Sequence, residues 1–414
     1  MSQDVGVASL WRQPAYIAFW VARFCGVMGV QIQGVALAWQ IYAIARERHD
    51  PRQAAFAVGM IGLAQFLPLF LLALPAGEMA DRRDRKVIGI SCLTVEVVTA
   101  LILAALAFAH VGALWPIYAV AVCFGASRAF QSPALSALGP MLVPRALLPR
   151  SIAWNSLSWQ VGSIVGPSIG GLLCAASPGV AYAVSASVFG LGLVAMLTIR
   201  AVTRPVVQPG SRWALVKEGL AYVWSNRIVF GAISLDLFAV LLGGATALLP
   251  VFARDVLHVG ADGFGLLSAG PAIGATLVAI VLGWRPIHRK AGLFMFGGVA
   301  VFGLATIVFA ESRSLTVSVI ALVVLGGADM LSVFIRQTLI QVVTPDAMRG
   351  RVSAVAMLFV GASNELGEFE SGVTARLMGA VPAVLFGGIG ALVVTGVWAK
   401  MFPTLRRADR LDRG

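Results

Sequence analysis

"PRALLPRSIA", residues 144–153, returns 201 positions later as "PDAMRGRVSA", residues 345–354. Pro144 falls on Pro345, Ala146 on Ala347, Arg150 on Arg351 and Ala153 on Ala354. The same ungapped offset sets Gly125 on Gly326 upstream, then Gly166 on Gly367 and Gly171 on Gly372 downstream. One shift that holds across a loop and the segments on either side of it marks a duplication, and a duplication fixes how the rest of the chain is partitioned.

The chain is 59% hydrophobic and 12% charged over 414 residues, with a mean hydropathy of +0.88. Soluble domains carry about 25% charged residues, so this one has half the usual solvating surface. Apolar runs recur at the ~20-residue length that crosses ~30 Å of hydrocarbon. They predict spans near 14–45, 53–79, 87–109, 113–138, 150–176 and 178–199, then near 228–256, 262–284, 291–310, 314–342, 349–378 and 380–402. The expected fold is an all-α membrane protein of twelve transmembrane helices in two six-helix pseudo-symmetric halves, residues 1–199 and 228–414. Between them "RAVTRPVVQPGSRWALVKEGLAYVWSNR" (200–227) is the longest polar stretch. Pro205, Pro209 and Gly210 break structure there, whereas Trp213, Val216, Leu220, Val223 and Trp224 recur at helical spacing beside Arg212, Lys217 and Arg227. That pattern reads as a cytoplasmic linker with an amphipathic helix on the membrane surface; the plainer reading, preferred here, is a connector that tethers the two halves.

A net charge of +12 raises the question of nucleic acid, and the placement of the charge answers it. Loops on the side of both termini hold 22 of the 31 Lys and Arg; the opposite loops hold five, Arg46, Arg48, Arg52, Arg254 and Arg313. The bias puts both termini in the cytoplasm and makes anionic lipid, not nucleic acid, the partner of the basic loops. No basic segment followed by an apolar core opens the chain, so no cleaved signal is expected. Cys25, Cys92, Cys123 and Cys174 fall in spans without metal spacing, and His49, His110, His258 and His288 are scattered near loops. Neither a disulfide framework nor a metal site is expected.

Three stretches carry a family resemblance. The loop after the second span, "GEMADRRDRK" (77–86), resembles the major facilitator signature in Gly77, Asp81, Arg82, Arg85 and Lys86, with Asp84 where the family often has Gly. A carboxylate beside clustered guanidiniums can form charge-assisted bonds that break and re-form as two halves rock; the plainer reading is a basic loop that sets topology. "GSIVGPSIGG" (162–171), in the fifth span, is similar to the motif of the antiporter branch through Gly162, Gly166, Pro167, Gly170 and Gly171. Glycines there allow close backbone approach, and the proline kinks the helix. In "SRAFQSPA" (127–134), Arg128 and Gln131 resemble a motif of proton-coupled drug exporters, with Ser132 in place of Gly. "NSLSWQVGSIVGPSIGG" together with "SNELGEFESG" most resembles the enterobactin-exporter subgroup.

The resemblance covers the whole chain and implies parallel repeats about an axis along the membrane normal. It also implies secondary active export of a small organic molecule, a siderophore or a hydrophobic drug-like compound, by proton antiport with alternating access. The expected setting is a monomer in the bacterial cytoplasmic membrane, driven by the proton gradient without a cofactor. Proton-coupled uptake is the rival within transport, and a non-transporting receptor is a third reading. Helical HxxxH and paired-Asp motifs are absent from the spans, so no enzymatic site is read.

An ionisable side chain near the bilayer centre costs about 2.5–3.5 kcal/mol on insertion scales, so each needs a partner or a hydrated cavity. The spans contain Arg23, Glu96, Arg128, Asp236, Asp329, Arg336, Glu365, Glu368, Glu370 and Arg376. In the family the first, fourth, seventh and tenth spans line the central cavity, which places Arg23, Arg128, Asp236, Asp329 and Arg336 there, with Gln31, Gln33 and Gln131 as hydrogen-bonding candidates. The 201-residue offset sets Arg128 on Asp329, opposing a base and an acid at one depth. Asp329 and Arg336 are two turns apart, about 10 Å, too far for a direct bond but able to share a hydrated stripe. Glu96 reads as a structural partner for a nearby Arg or as a functional acid. Burial favours a neutral carboxyl and a nearby Arg favours an ionised one, so a motion that changes an acid–base distance can couple protonation to access. Trp39, Trp154, Trp159 and Phe130 can stack on an aromatic substrate or simply pack.

The same offset makes "GASNELGEFESG" (361–372) the counterpart of the antiporter stretch, with Glu365, Glu368 and Glu370 at the positions of Ile164, Pro167 and Ile169. Glu365 and Glu368 share a helix face, and two adjacent carboxylates resist joint ionisation. They read as a proton site alongside Asp329 and Asp236, or as braces paired to Arg376 and Arg336. Glu370 points elsewhere.

Overall fold

The computed structural model describes residues 10–201, 212–285, 287, 289–345 and 348–407. Pro205, Pro209, Gly210, His288 and Ala347, used in the sequence reading, lie outside them. Among the described residues twelve long helices stand where spans were expected. They are Pro14–Arg48, Pro51–Arg82, Arg85–Phe108, Trp115–Leu138, Leu148–Ala176 and Pro178–Leu197, then Arg227–Leu242, Ala261–Trp284, Ala291–Glu311, Leu315–Val343, Arg349–Met378 and Ala380–Met401. These are the first to twelfth spans.

Local chemistry sets their ends. Pro14, Pro51 and Pro178 open helices at the position where a missing N–H costs nothing. Asp84 accepts from the Lys86 N–H at 3.0 Å, and Asn226 from Ile228 and Val229 at 3.1 and 3.2 Å, capping the third and seventh spans. Gly379, with φ +96°, turns the chain between the eleventh and twelfth spans in one residue.

Ten of the described helices, the seventh taken through to Val256, are long and apolar enough to cross a membrane on that ground alone. The fourth and eleventh fall short because they carry Arg128 with Gln131 and the three glutamates. Leu101, Leu191, Leu277, Leu304, Ile320 and Val393 are all more than half exposed. That much apolar surface is untenable in water and natural against acyl chains.

By contact the chain forms two units, residues 1–37 with 67–209, and residues 38–66 with 210–414. Within the first, the third span packs on the fourth and sixth; within the second, the ninth packs on the tenth and twelfth. The duplication seen in sequence therefore recurs as a pairing pattern. It recurs in the glycines too. A Cβ at Gly166 would sit 2.5 Å from the Gln31 Cβ on the first span, and one at Gly367 would sit 2.9 Å from the Val240 carbonyl on the seventh.

One expectation is corrected. The seventh span is not one continuous helix over 228–256: it stops at Leu242, passes Gly243–Gly244 and a short tight turn at Ala245–Leu248, and resumes through Leu249–Val256. The break lies where the chain passes close to the eleventh span: a side chain at Gly244 would overlap the Ser371 hydroxyl and the Gly367 carbonyl. The linker helix, Arg212–Ser225, packs on helices of the second unit. Its Leu220 and Val223 join a cluster with Val229, Ile233, Ile340 and Val352, Tyr222 donates its hydroxyl to the Val343 carbonyl at 3.1 Å, and Glu218 pairs with Arg351.

Candidate functional site

In the second unit the seventh and tenth spans bring three ionisable groups together. Arg336 pairs through Nη1 with Asp236 Oδ2, and the two residues are 4% and 5% exposed. The contact is an ion pair without the alignment of a good hydrogen bond. Asp329 and Asp236 both line a cavity of about 10 Å³, with Ser332, Ala328 and, from the ninth span, Val299 and Phe302. That is near the smallest volume that holds one water. Asp329 feels the charge of both Asp236 and Arg336, so the cluster is two acids sharing one base, closed by apolar walls. Arg336 thus serves Asp236 directly and does more than share a hydrated stripe with Asp329.

On the eleventh span the three glutamates separate. Glu365 is buried, and Glu368 and Glu370 are half-buried. A Cβ at Gly62 would lie 2.8 Å from the Glu368 Cβ, and one at Gly59 only 2.6 Å from Gly372 Cα. The second span therefore runs backbone to backbone along this stretch, with Phe56 against Phe369. Arg376, one proposed brace, is exposed and holds its guanidinium 4.8 Å from the Phe56 ring centre; Arg336, the other, holds Asp236. Glu370 accepts at Oε1 from the Thr374 hydroxyl at 2.5 Å, one turn along its own helix.

In the first unit, Arg23 is half-buried with its Nε lacking a hydrogen-bond partner, and Gln33 is 1% exposed with its Oε1 in the same condition. Gln31 is held on the face packed against Gly166. Gln131 donates from Nε2 to Glu96 Oε2 at 2.9 Å, and Arg128 is the charge acting on that carboxyl. This pairing joins the third and fourth spans, and the motifs alone did not point to it.

Gly162, Gly166 and Gly170 form the packing stripe of the fifth span. Side chains there would meet Val27 at 2.6 Å, Gln31 at 2.5 Å and Val35 at 3.1 Å, all on the first span. Pro167 and Gly171 are buried in the same helix. Trp20 Nε1 and the Tyr16 hydroxyl donate to the carbonyls of Trp154 and Ser151, each at 3.0 Å, tightening the same pair. The candidate stacking aromatics have neighbours of their own: Trp39 stacks on Phe264 at 5.5 Å, Trp154 meets Trp11 edge-on at 4.7 Å, and Phe130 packs beside Ile88 and Cys92. Trp159 is 54% exposed.

The 77–86 stretch, expected as a loop, is helical except at Arg83–Asp84, and it ties helix ends together. Arg85 donates to the carbonyls of Ala80 and Ala137, both at 3.2 Å. Lys86 Nζ donates to Ile199 and Leu197 carbonyls at 2.5 and 3.4 Å, at the end of the sixth span. Cations on C-terminal carbonyls complement the helix dipole. Arg82 pairs with Glu78 at 2.9 Å, Gly77 is buried and Asp81 is exposed. Asp84, where the family often has Gly, caps the third span.

This arrangement of spans is a transporter fold. It superposes with TM-score 0.72 on a bacterial homologue of the human lysosomal transporter Spinster, at 14% identity, covering 96% of this chain and 99% of that one. A D-xylose–proton symporter gives 0.70 at 13%, covering 96% and 99%. A family model described as a transmembrane secretion effector matches residues 6–413, and the chain belongs to that family of major facilitator transporters. It is 28% identical over 394 residues to the enterobactin exporter EntS of Citrobacter koseri, spanning 94% of this chain and 88% of that protein. The Salmonella typhi exporter of the same name is 26% identical over 391 residues, spanning 94% and 89%.

Proposed function

We propose that this transporter exports a small organic molecule, a catecholate siderophore or a hydrophobic drug-like compound, in exchange for protons. The observation that carries the reading is the buried Asp236–Arg336 pair beside Asp329 at one small cavity, in a chain similar to named exporters. An antiporter needs a carboxyl that is protonated in one state and ionised in another. Two acids competing for one base supply that: when Arg336 serves one, the other is the better proton acceptor. Asp329 carries the proton, Asp236 and Arg336 set its environment, and Glu365 and Glu368 are second candidates on the eleventh span. Arg23, Gln33, Arg128 and Gln131 offer polar contacts to substrate. The six-helix halves 1–199 and 228–414 alternate access as a monomer in the cytoplasmic membrane with both termini inside. No cofactor takes part; the proton gradient drives the cycle.

The test expresses the chain in a pump-depleted bacterial host and measures secreted enterobactin and dye accumulation with and without an uncoupler. Inverted vesicles with an acidified lumen should accumulate substrate, and Asp329→Asn should abolish the gradient-driven part. Full gradient-driven export by Asp329→Asn defeats the assignment of the proton, and uncoupler-sensitive uptake by intact cells defeats the direction.

A further inference from the structure

The third span holds a carboxyl group that the scheme above leaves idle. Glu96 is 0% exposed. Its Oε2 accepts from Gln131 at 2.9 Å, and its Oε1 is buried with no hydrogen-bond partner. The nearby hydroxyls are engaged with backbone: Ser127 donates to the Cys92 carbonyl at 3.1 Å, and Thr99 to the Glu96 carbonyl at 3.0 Å. The charge acting on Glu96 from the fourth span is Arg128; the titratable neighbour on its own span is Cys92, one turn earlier.

A carboxylate offers about four acceptor sites, and a buried charge persists only when paired and hydrogen-bonded. One amide donor meets a quarter of that demand. Two arrangements resolve the deficit. A proton on Oε1 removes the charge and leaves the Gln131 bond in place, or the Arg128 guanidinium, three residues before Gln131 on the same helix, turns to the carboxylate and neutralises it. Both groups belong to the stretch that resembles the proton-coupled exporter motif.

We propose that Glu96 is a proton-binding residue of the first unit, taking a proton from water on Oε1 while bonded to Gln131 and returning it when Arg128 engages the carboxylate. Gln131 is a positioning residue in this scheme. No other bond is made or broken. The inference rests on the proton-coupled reading above, and it places a second titrating acid in a different unit from Asp329.

Infrared difference spectroscopy of the full chain in lipid, stepped across pH, reads the protonated-carboxyl stretch without any substrate. Wild type should show a reversible band that Glu96→Gln abolishes, that Gln131→Leu shifts by removing the hydrogen bond, and that Arg128→Met moves to a different pH. Glu96→Asp, which keeps the acid, should retain a titrating band and guards against a folding defect in the glutamine variant. A Glu96→Gln spectrum with every titrating band intact overturns the proposal. In liposomes with enterobactin as probe, Glu96→Gln should keep substrate counterflow and lose gradient-driven accumulation. Coupled accumulation by Glu96→Gln at the wild-type level, with wild type gradient-driven, also overturns it. Wild-type accumulation that ignores the gradient instead defeats the antiport reading, and the infrared titration then decides Glu96 alone.

Discussion

Removing one side of the Asp236–Arg336 pair should damage the fold more than removing both. The two residues are 5% and 4% exposed, so neither reaches water that would solvate it when orphaned. Breaking a buried pair from one side costs about 3–5 kcal/mol, whereas replacing both members with apolar residues is often near neutral. The local charges refine the ranking. In Asp236→Ala, Asp329 remains as a countercharge for Arg336, which sets the expected loss near the lower end, about 3 kcal/mol. In Arg336→Met two acids keep no base, and the loss should approach about 5 kcal/mol. The double variant leaves Asp329 alone beside an apolar wall and should recover about 2 kcal/mol or more relative to Arg336→Met. Denaturing-detergent titration can follow this through the buried thiols of Cys25, Cys92 and Cys174, which become dye-reactive on unfolding, with exposed Cys123 replaced throughout. A loss of about 3 kcal/mol is a shift of roughly 150-fold in the unfolding equilibrium. Additive single and double variants, or single variants within about 0.5 kcal/mol of wild type, would refute the reasoning, because uncoupled sites add to that precision.

Other perturbations test the packing and the caps. Gly166→Ala pushes a methyl to 2.5 Å from Gln31 and should destabilise by about 1–3 kcal/mol, while Gly190→Ala meets nothing within 4 Å and should be neutral or stabilise by up to about 1 kcal/mol; thermal unfolding of the two distinguishes them, and the reverse order rejects the packing account. Asp84→Ala should cost about 1 kcal/mol by loss of the cap on the third span, but Asp84→Gly only a few tenths, measured by the same thiol titration. The Tyr42 hydroxyl donates to Asp255 beside Arg46, and Tyr42 is 0% exposed; Tyr42→Phe should therefore cost about 1.5–3 kcal/mol, the value of a hydrogen bond to a charged group, and an unchanged unfolding midpoint would count against that bond.

Span number and position were legible because hydropathy and charge placement are properties of the chain itself. The break in the seventh span was not, because Gly243 packs on Phe302 of the ninth span and Gly244 on Gly367 and Ser371 of the eleventh, neighbours distant in the chain. The site divides in the same way. Asp236, Asp329 and Arg336 were visible as charges where charge is expensive, but their pairing depends on rotation about helix axes, which no periodicity supplies. The Glu96–Gln131 bond was not legible either. Glu96 lies 12 residues before Phe108 and Gln131 lies 16 residues after Trp115, about one helical turn out of register. Equal depth in an antiparallel hairpin would match Glu96 to Ser127, so the bond depends on side-chain reach and helix rotation that the pattern does not supply.

The duplication also explains which positions were free to acquire charge. Gly166 and Gly367 both sit where a neighbouring backbone crosses, against the first and the seventh span respectively, and both remain glycine. The residues around the retained glycines changed class, Ile164, Pro167 and Ile169 on one side against Glu365, Glu368 and Glu370 on the other. A helix pinned at its glycines cannot shift without loss of backbone packing, so its remaining faces can change chemistry at small cost to position. Pinning by Gly59 and Gly62 of the second span then holds the Glu368 stem in place, while Glu370 satisfies itself on Thr374. The divergence is thus confined to side chains on a fixed frame, which is the condition for two halves of one ancestry to hold different charges and keep one fold.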